Sequence, residues 1–230
     1  MNRGPLLFLG LFITMACSWL GFVLGPQLQI GGLAQTNTVV VGDASPQSYP
    51  LAQPGAARQG AEIYRANGCS ACHTQMIRPL QSGSDTHRGW GARRSLAEDY
   101  LFDQPVMLGS VRVGPDLANY GRRSDLNGVL LRLYIPQLIT PGSLMPSYRY
   151  LFETRKVDHF LSRDALVLPS QIAPAAGYEV IPRPEALALA AYVLSLRQEG
   201  YLFEAPPPPL LTNALVFKTN SPAKTNSPAK

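Results

Sequence analysis

The stretch GCSACHTQMIRP, residues 68–79, sets two cysteines two residues apart with a histidine directly after them. Three chemistries compete for such a cluster. Structural zinc needs four cysteine or histidine ligands, and the remaining candidates, His87, His159 and Cys17, form no second close pair. A redox dithiol of the thioredoxin kind belongs in a strand–helix–strand setting, which the residues around Cys69 and Cys72 do not suggest. Covalent haem attachment is the third. C-x-x-C-H suits it because two thiols, Cys69 and Cys72, span the two vinyl groups of a porphyrin while the next residue, His73, offers its imidazole to the iron. Haem c is the reading that fits.

An iron held by His73 calls for a ligand on its other face. Met1 and Met15 fall before or within an apolar amino-terminal run, and Met76 follows His73 too closely to reach across the haem. Met107 and Met145 remain. Met145 sits in ITPGSLMPSY between Pro141 and Pro146, a stiff loop suited to holding a sulfur at fixed distance, and is preferred; an ordinary core methionine is the plain alternative. Histidine with methionine gives a six-coordinate iron of raised potential, fit to pass electrons and closed to substrate. The second nitrogen of a ligating histidine wants an acceptor, and the carbonyl of Pro115 in VGPDL offers one. Haem propionates want cations, for which Arg78 and Arg112 are candidates, with a solvated surface charge the alternative for either.

Charge is distributed unevenly along the 230 residues. The formal net charge is +5, yet Arg3 is the only charged side chain before Asp43, and Lys218, Lys224 and Lys230 stand in a tail without acids. The stretch between holds 16 basic against 15 acidic residues, so its balance argues against a nucleic-acid partner. Three cysteines with one close pair do not make a disulfide framework.

Leu6 to Ile30 is mostly apolar. As a helix it would rise about 37 Å at roughly 1.5 Å per residue, enough for a hydrocarbon core of about 30 Å. A cleaved signal (Gly32-Leu33-Ala34 is a passable site) and a lipoprotein site at Cys17 are the competing readings, but the run far exceeds a usual signal core of about 7–15 residues. A retained single anchor is expected over 1–34, with Arg3 favouring the amino terminus inside and the rest outside. Residues 35–57, with Pro46, Pro50 and Pro54, read as a linker. Helices are expected from Ala56 to Asn67 with Gly68 as stop, after Ser124 as amino cap and ending before Pro136, and from Pro184 to about Arg197. No useful strand alternation is evident. Residues 204–230, with Pro206–Pro209 and TNSPAK written twice, read as disordered.

Taken together, GCSACHTQMIRP, SLAEDYLFDQPVMLGSVRVGPDLANYG (Ser95–Gly121) and LMPSY (Leu144–Tyr148), following one amino-terminal span, resemble the membrane-anchored monohaem cytochrome c subunit of cbb3-type haem–copper oxidases. The resemblance covers residues 60–150, and Gln75–Pro79 is its most discriminating piece. It implies a mainly α fold: one transmembrane helix, a class I-like cytochrome c domain over 58–203 and the disordered tail. It also implies one covalent haem c on Cys69 and Cys72, with His73 and Met145 as axial ligands. The implied partners are the haem–copper catalytic subunit, a dihaem cytochrome c subunit or soluble cytochrome c donor, and membrane lipid. The implied location is a bacterial inner membrane with the haem domain in the periplasm. Ser95 lies in the segment where such proteins carry a calcium ion near the catalytic subunit.

The chain departs from the pattern in places. Leu144 stands where asparagine usually precedes the ligand methionine, and Leu151 to Arg183 matches poorly. Two alternatives stay open: the cytochrome subunit of a nitric oxide reductase, against which Gln75–Pro79 speaks, and a free-standing membrane-tethered electron carrier. No catalytic centre is expected on this chain itself, whose histidines are isolated and whose acids form no evident pair.

Overall fold

The computed structural model describes residues 3–40 and 45–206, so the tail from residue 207 onward, expected to be disordered, lies outside the described residues. The apolar run forms α1 (Gly4–Trp19), a π-helical stretch (Leu20–Leu24) and α2 (Gly25–Ile30), one helical rod of 27 residues with none of it buried. It is long and apolar enough to cross a membrane. The wide turn sits directly before Pro26, whose ring and missing N–H disturb the i to i−4 ladder one turn back.

The expected linker is folded where it is described. β1 (Thr36–Val39) pairs antiparallel with β2 (Pro46–Tyr49), Thr36 opposite Tyr49 and Val39 opposite Pro46. Tyr49 anchors this hairpin: its ring is 3% exposed, and its hydroxyl donates to Asp99, which also pairs with Arg93 at 2.6 Å. Tyr201 N–H donates to the Val39 carbonyl at 2.9 Å, tying the hairpin to the far end of the chain.

Three helices build the core, and each forms close to where its sequence signals place it. α3 (Gly55–Ala66) ends where Gly68 takes the left-handed conformation at φ 66°. α4 (Leu126–Tyr134) is capped by Asp125, whose Oδ1 accepts from Gly128 N–H at 2.8 Å. Ser124, the expected cap, falls one residue too early for this bond. A one-turn α5 (Pro136–Ile139) follows. α6 (Pro184–Ser195) buries Ala188, Leu189, Tyr192 and Val193 among others, consistent with its apolar residues covering more than one face. α3 and α6 approach so closely that a Cβ on Gly60 would lie 1.9 Å from the Ala188 carbonyl oxygen.

The region that matched the family poorly holds a second ribbon, β3 (Phe152–Lys156) against β4 (Tyr178–Pro182), with Phe152 opposite Pro182. The fold is therefore mixed helix and sheet rather than helix and loop alone. Both ribbons escape a reading by alternation because each strand has four or five residues, and β3 buries only Phe152.

Candidate cofactor site

Beyond α3 the chain reverses at Gly68 into a 3₁₀ turn, Cys69–Ala71, and the His73 N–H donates to the Cys69 carbonyl at 3.0 Å. The turn sets Cys69 half-buried and leaves Cys72 exposed, both as free thiols. Burial pushes the Cys69 thiol up to about 11.

Residues 72–77 then run beside residues 108–117, held by Gln75 N–H to Leu108 O at 2.9 Å, Gly114 N–H to Cys72 O at 2.9 Å and Leu117 N–H to Thr74 O at 2.8 Å. The fully buried Asp116 locks the two runs together. Its Oδ2 accepts from the Thr74 hydroxyl at 2.6 Å and from Met76 N–H at 2.9 Å, and its Oδ1 from Ala118 N–H at 2.8 Å. This framework brings the Pro115 carbonyl 2.8 Å from His73 Nδ1. A carbonyl only accepts, so Nδ1 carries the hydrogen and Nε2 keeps its lone pair. Burial lowers the His73 pKa, which favours that neutral, ligand-competent form.

Met145 arrives on the segment after α5. Tyr148 N–H donates to Leu133 O at 2.8 Å, and Gln137 Nε2 donates to Met145 O at 3.0 Å, fixing the loop against α4 and α5. Met145, His73 and Cys69 line one mostly apolar cavity, open on one side to solvent, with Leu117, Val129, Leu133 and Leu189 among its other walls.

A haem fits this donor set. An imidazole with a free Nε2, a thioether and a thiol share one apolar wall, and the backbone at Gly114 is cut away to receive the imidazole. A Cβ there would lie 2.3 Å from His73 Cε1. A metal ion alone has less support, since among the described residues no three His, Cys, Asp or Glu side chains converge.

The other candidates lie elsewhere. Met107 borders a different cleft with Arg58, Glu62 and Tyr192, and Met76 points outward. Arg78 and Arg112 do not border the cavity. Both engage the buried Asp85, at 2.9 and 2.8 Å, and Arg112 also donates to Thr74 Oγ1 at 2.7 Å and packs over Trp90. Burial opposes charge on Asp85, but these hydrogen bonds outweigh it and hold the carboxyl below its usual range. The two arginines brace the loop that follows the motif, which is a different task from meeting propionates. The Ser95 hydroxyl accepts from Ile77 N–H at 2.8 Å and donates to Gln198 Oε1.

Sequence reasoning missed Arg132. It stands in the last turn of α4, on the cavity wall, with its Nε buried and without a hydrogen-bond partner. An arginine set between Val129 and Leu133, both buried on the face turned inward, was the available signal. Gln75 was also missed: its side chain is buried, with Oε1 accepting from the Tyr192 hydroxyl at 3.0 Å.

A family model described as cytochrome c oxidase, mono-haem subunit/FixO matches residues 27–174, more than half of the chain. No curated protein matches it closely enough to be reported as a relative.

Proposed function

This chain belongs to the FixO family of mono-haem cytochrome c oxidase subunits, and on that premise we propose that it is the membrane-anchored electron relay of a cbb3-type oxidase. Cys69 and Cys72 would carry one haem c through thioethers, and His73 Nε2 and Met145 Sδ would hold its iron. The single observation behind this reading is that His73, Cys69 and Met145 line one apolar cavity. When bound, the haem supplies a one-electron centre whose thioether ligand favours the ferrous state.

The protein's own residues do the rest. Pro115 O orients His73 and holds the proton on Nδ1, so Nε2 stays unprotonated. Gln137 and Tyr148 hold the Met145 loop against the helical scaffold, and Leu117, Val129, Leu133 and Leu189 exclude water. Gly4–Ile30 anchors the domain, amino terminus inside and haem domain in the periplasm, in a class I-like arrangement over 58–203. Electrons enter from a soluble cytochrome or a dihaem subunit and leave to the haem–copper catalytic subunit.

Metal analysis tests the assignment. The protein is purified gently from its own membranes by a carboxyl-terminal tag, and copper is measured against covalent haem. Stoichiometric copper is expected. Haem b with non-haem iron and no copper would instead indicate a nitric oxide reductase, and covalent haem alone a tethered carrier.

A further inference from the structure

Among the described residues, four arginines of the domain are buried or half-buried, and three have carboxylate partners: Arg78 and Arg112 with Asp85, and Arg93 with Asp99. The fourth does not. Arg132 forms no ion pair among the described residues, and its buried Nε has no hydrogen-bond acceptor. Arg123, an exposed residue beside it, also pairs with no carboxylate among the described residues. It donates through Nη2 to the Asp116 carbonyl and lies with its guanidinium carbon 5.2 Å from the ring of Tyr120, another residue of the cavity wall.

The two cations share one neighbourhood. Burial lowers the pKa of Arg123, and the charge of Arg132 lowers it further. The charge of Asp116 raises it in part, but both Asp116 oxygens already accept hydrogen bonds from Thr74, Met76, Ala118 and Arg112. A buried donor left unmade costs more than a typical hydrogen bond contributes, and a guanidinium deprived of water costs more again. A water could satisfy one N–H but not the charge. What balances a half-buried forked cation on the wall of an apolar cavity is a carboxylate, with the exposed Arg123 able to reinforce it from the rim.

We propose that Arg132, with Arg123 beside it, takes the propionates of the haem bound in the cavity, the task that Arg78 and Arg112 do not perform. The inference rests on the haem reading above. Arg132 is a positioning residue: it touches the cofactor's acid groups and acts on the iron through charge.

Redox titration of the full-length protein, wild type and Arg132→Gln, tests this between pH 5 and 8, with covalent haem checked by its pyridine haemochromogen spectrum. Removing the cation favours the more positive ferric form, so the variant should show about a tenfold smaller equilibrium constant for reduction at pH 7, which is 59 mV for one electron. It should also acquire a pH dependence that the wild type lacks. Without its guanidinium the propionate binds a proton as pH falls, and the potential rises. Covalent haem with an unchanged potential and an unchanged pH profile would overturn the proposal while leaving the haem reading intact. A wild type without covalent haem would defeat both. Should Arg132→Gln not mature, Arg132→Lys keeps the charge but loses the fork. Its redox-difference infrared bands from carboxyl-labelled propionates should then shift, and bands identical to the wild type's would overturn the proposal.

Discussion

The imidazole of His73 lies against the backbone of Gly114 so closely that a Cβ there would come within 2.3 Å of Cε1, 2.7 Å of Nδ1 and 2.9 Å of Nε2. The same turn presents Pro115 O to Nδ1 at 2.8 Å. Glycine is required at this position by space alone. Gly114→Ala should displace the ring, break the Pro115 contact and destabilise the domain by about 2 kcal/mol, as overpacking does. The thioether haem should remain, with an optical spectrum showing weakened histidine ligation. A wild-type spectrum and melting temperature together would contradict this packing.

From full burial, Asp116 joins the motif to the VGPDL turn by accepting from Thr74, Met76 and Ala118. In Asp116→Asn one oxygen becomes a donor facing other donors. The expected loss is about 3 kcal/mol, since bonds to charged groups contribute roughly 1.5–3 kcal/mol each. Thermal unfolding of the holoprotein measures it, and a loss under about 1 kcal/mol would deny Asp116 its role.

The α3–α6 contact at Gly60 makes an independent prediction. A methyl group there meets the Ala188 carbonyl carbon and oxygen, which are backbone and cannot step aside without moving α6. Gly60→Ala should lower stability by about 2 kcal/mol or more, against the small gain that glycine to alanine brings in an unconstrained helix. Denaturant unfolding midpoints decide the sign.

Asp103 gives a pH dependence. Burial raises its carboxyl to about 6, where Gln53 Nε2 donates to it at 3.2 Å. Its folded pKa lies above the unfolded one, so the folded state binds the extra proton between about pH 4 and 6. From this group alone, stability falls as pH rises through that window and is flat above it. Asp103→Asn should remove that contribution and leave the variant relatively more stable at pH 7 than at pH 4, as paired melting curves would show. Equal differences at both pH values would mean that Asp103 titrates normally.

How much of this was legible beforehand depends on the range of the interaction. α3, α4 and α6 form from local signals, a Gly68 stop, a cap within one residue of Ser124 and Pro184 at the first turn, and they appear near the expected bounds. The ribbons depend on pairing across distance, Phe152 with Pro182 and Thr36 with Tyr49, which short strands do not announce. At the site, C-x-x-C-H and the proline-bracketed Met145 point to Cys69, His73 and Met145, which do share a cavity, while the exposed Cys72 is not part of its lining. Arginine chemistry constrains less than ligand chemistry does. Arg78 and Arg112 were candidates by proximity in sequence, but the carboxylate that claims them, Asp85, reads in sequence as any loop acid.

The proposed ligation of a haem iron by Met145 tests the central claim most directly. Full-length wild type and Met145→Ala are reduced, exposed to carbon monoxide and compared by their Soret bands, with the haem content of each checked first. The account predicts that the variant keeps its covalent haem and binds carbon monoxide at the opened position while the wild type does not. Equal refusal by both proteins, haem attached, would show that Met145 does not hold the iron.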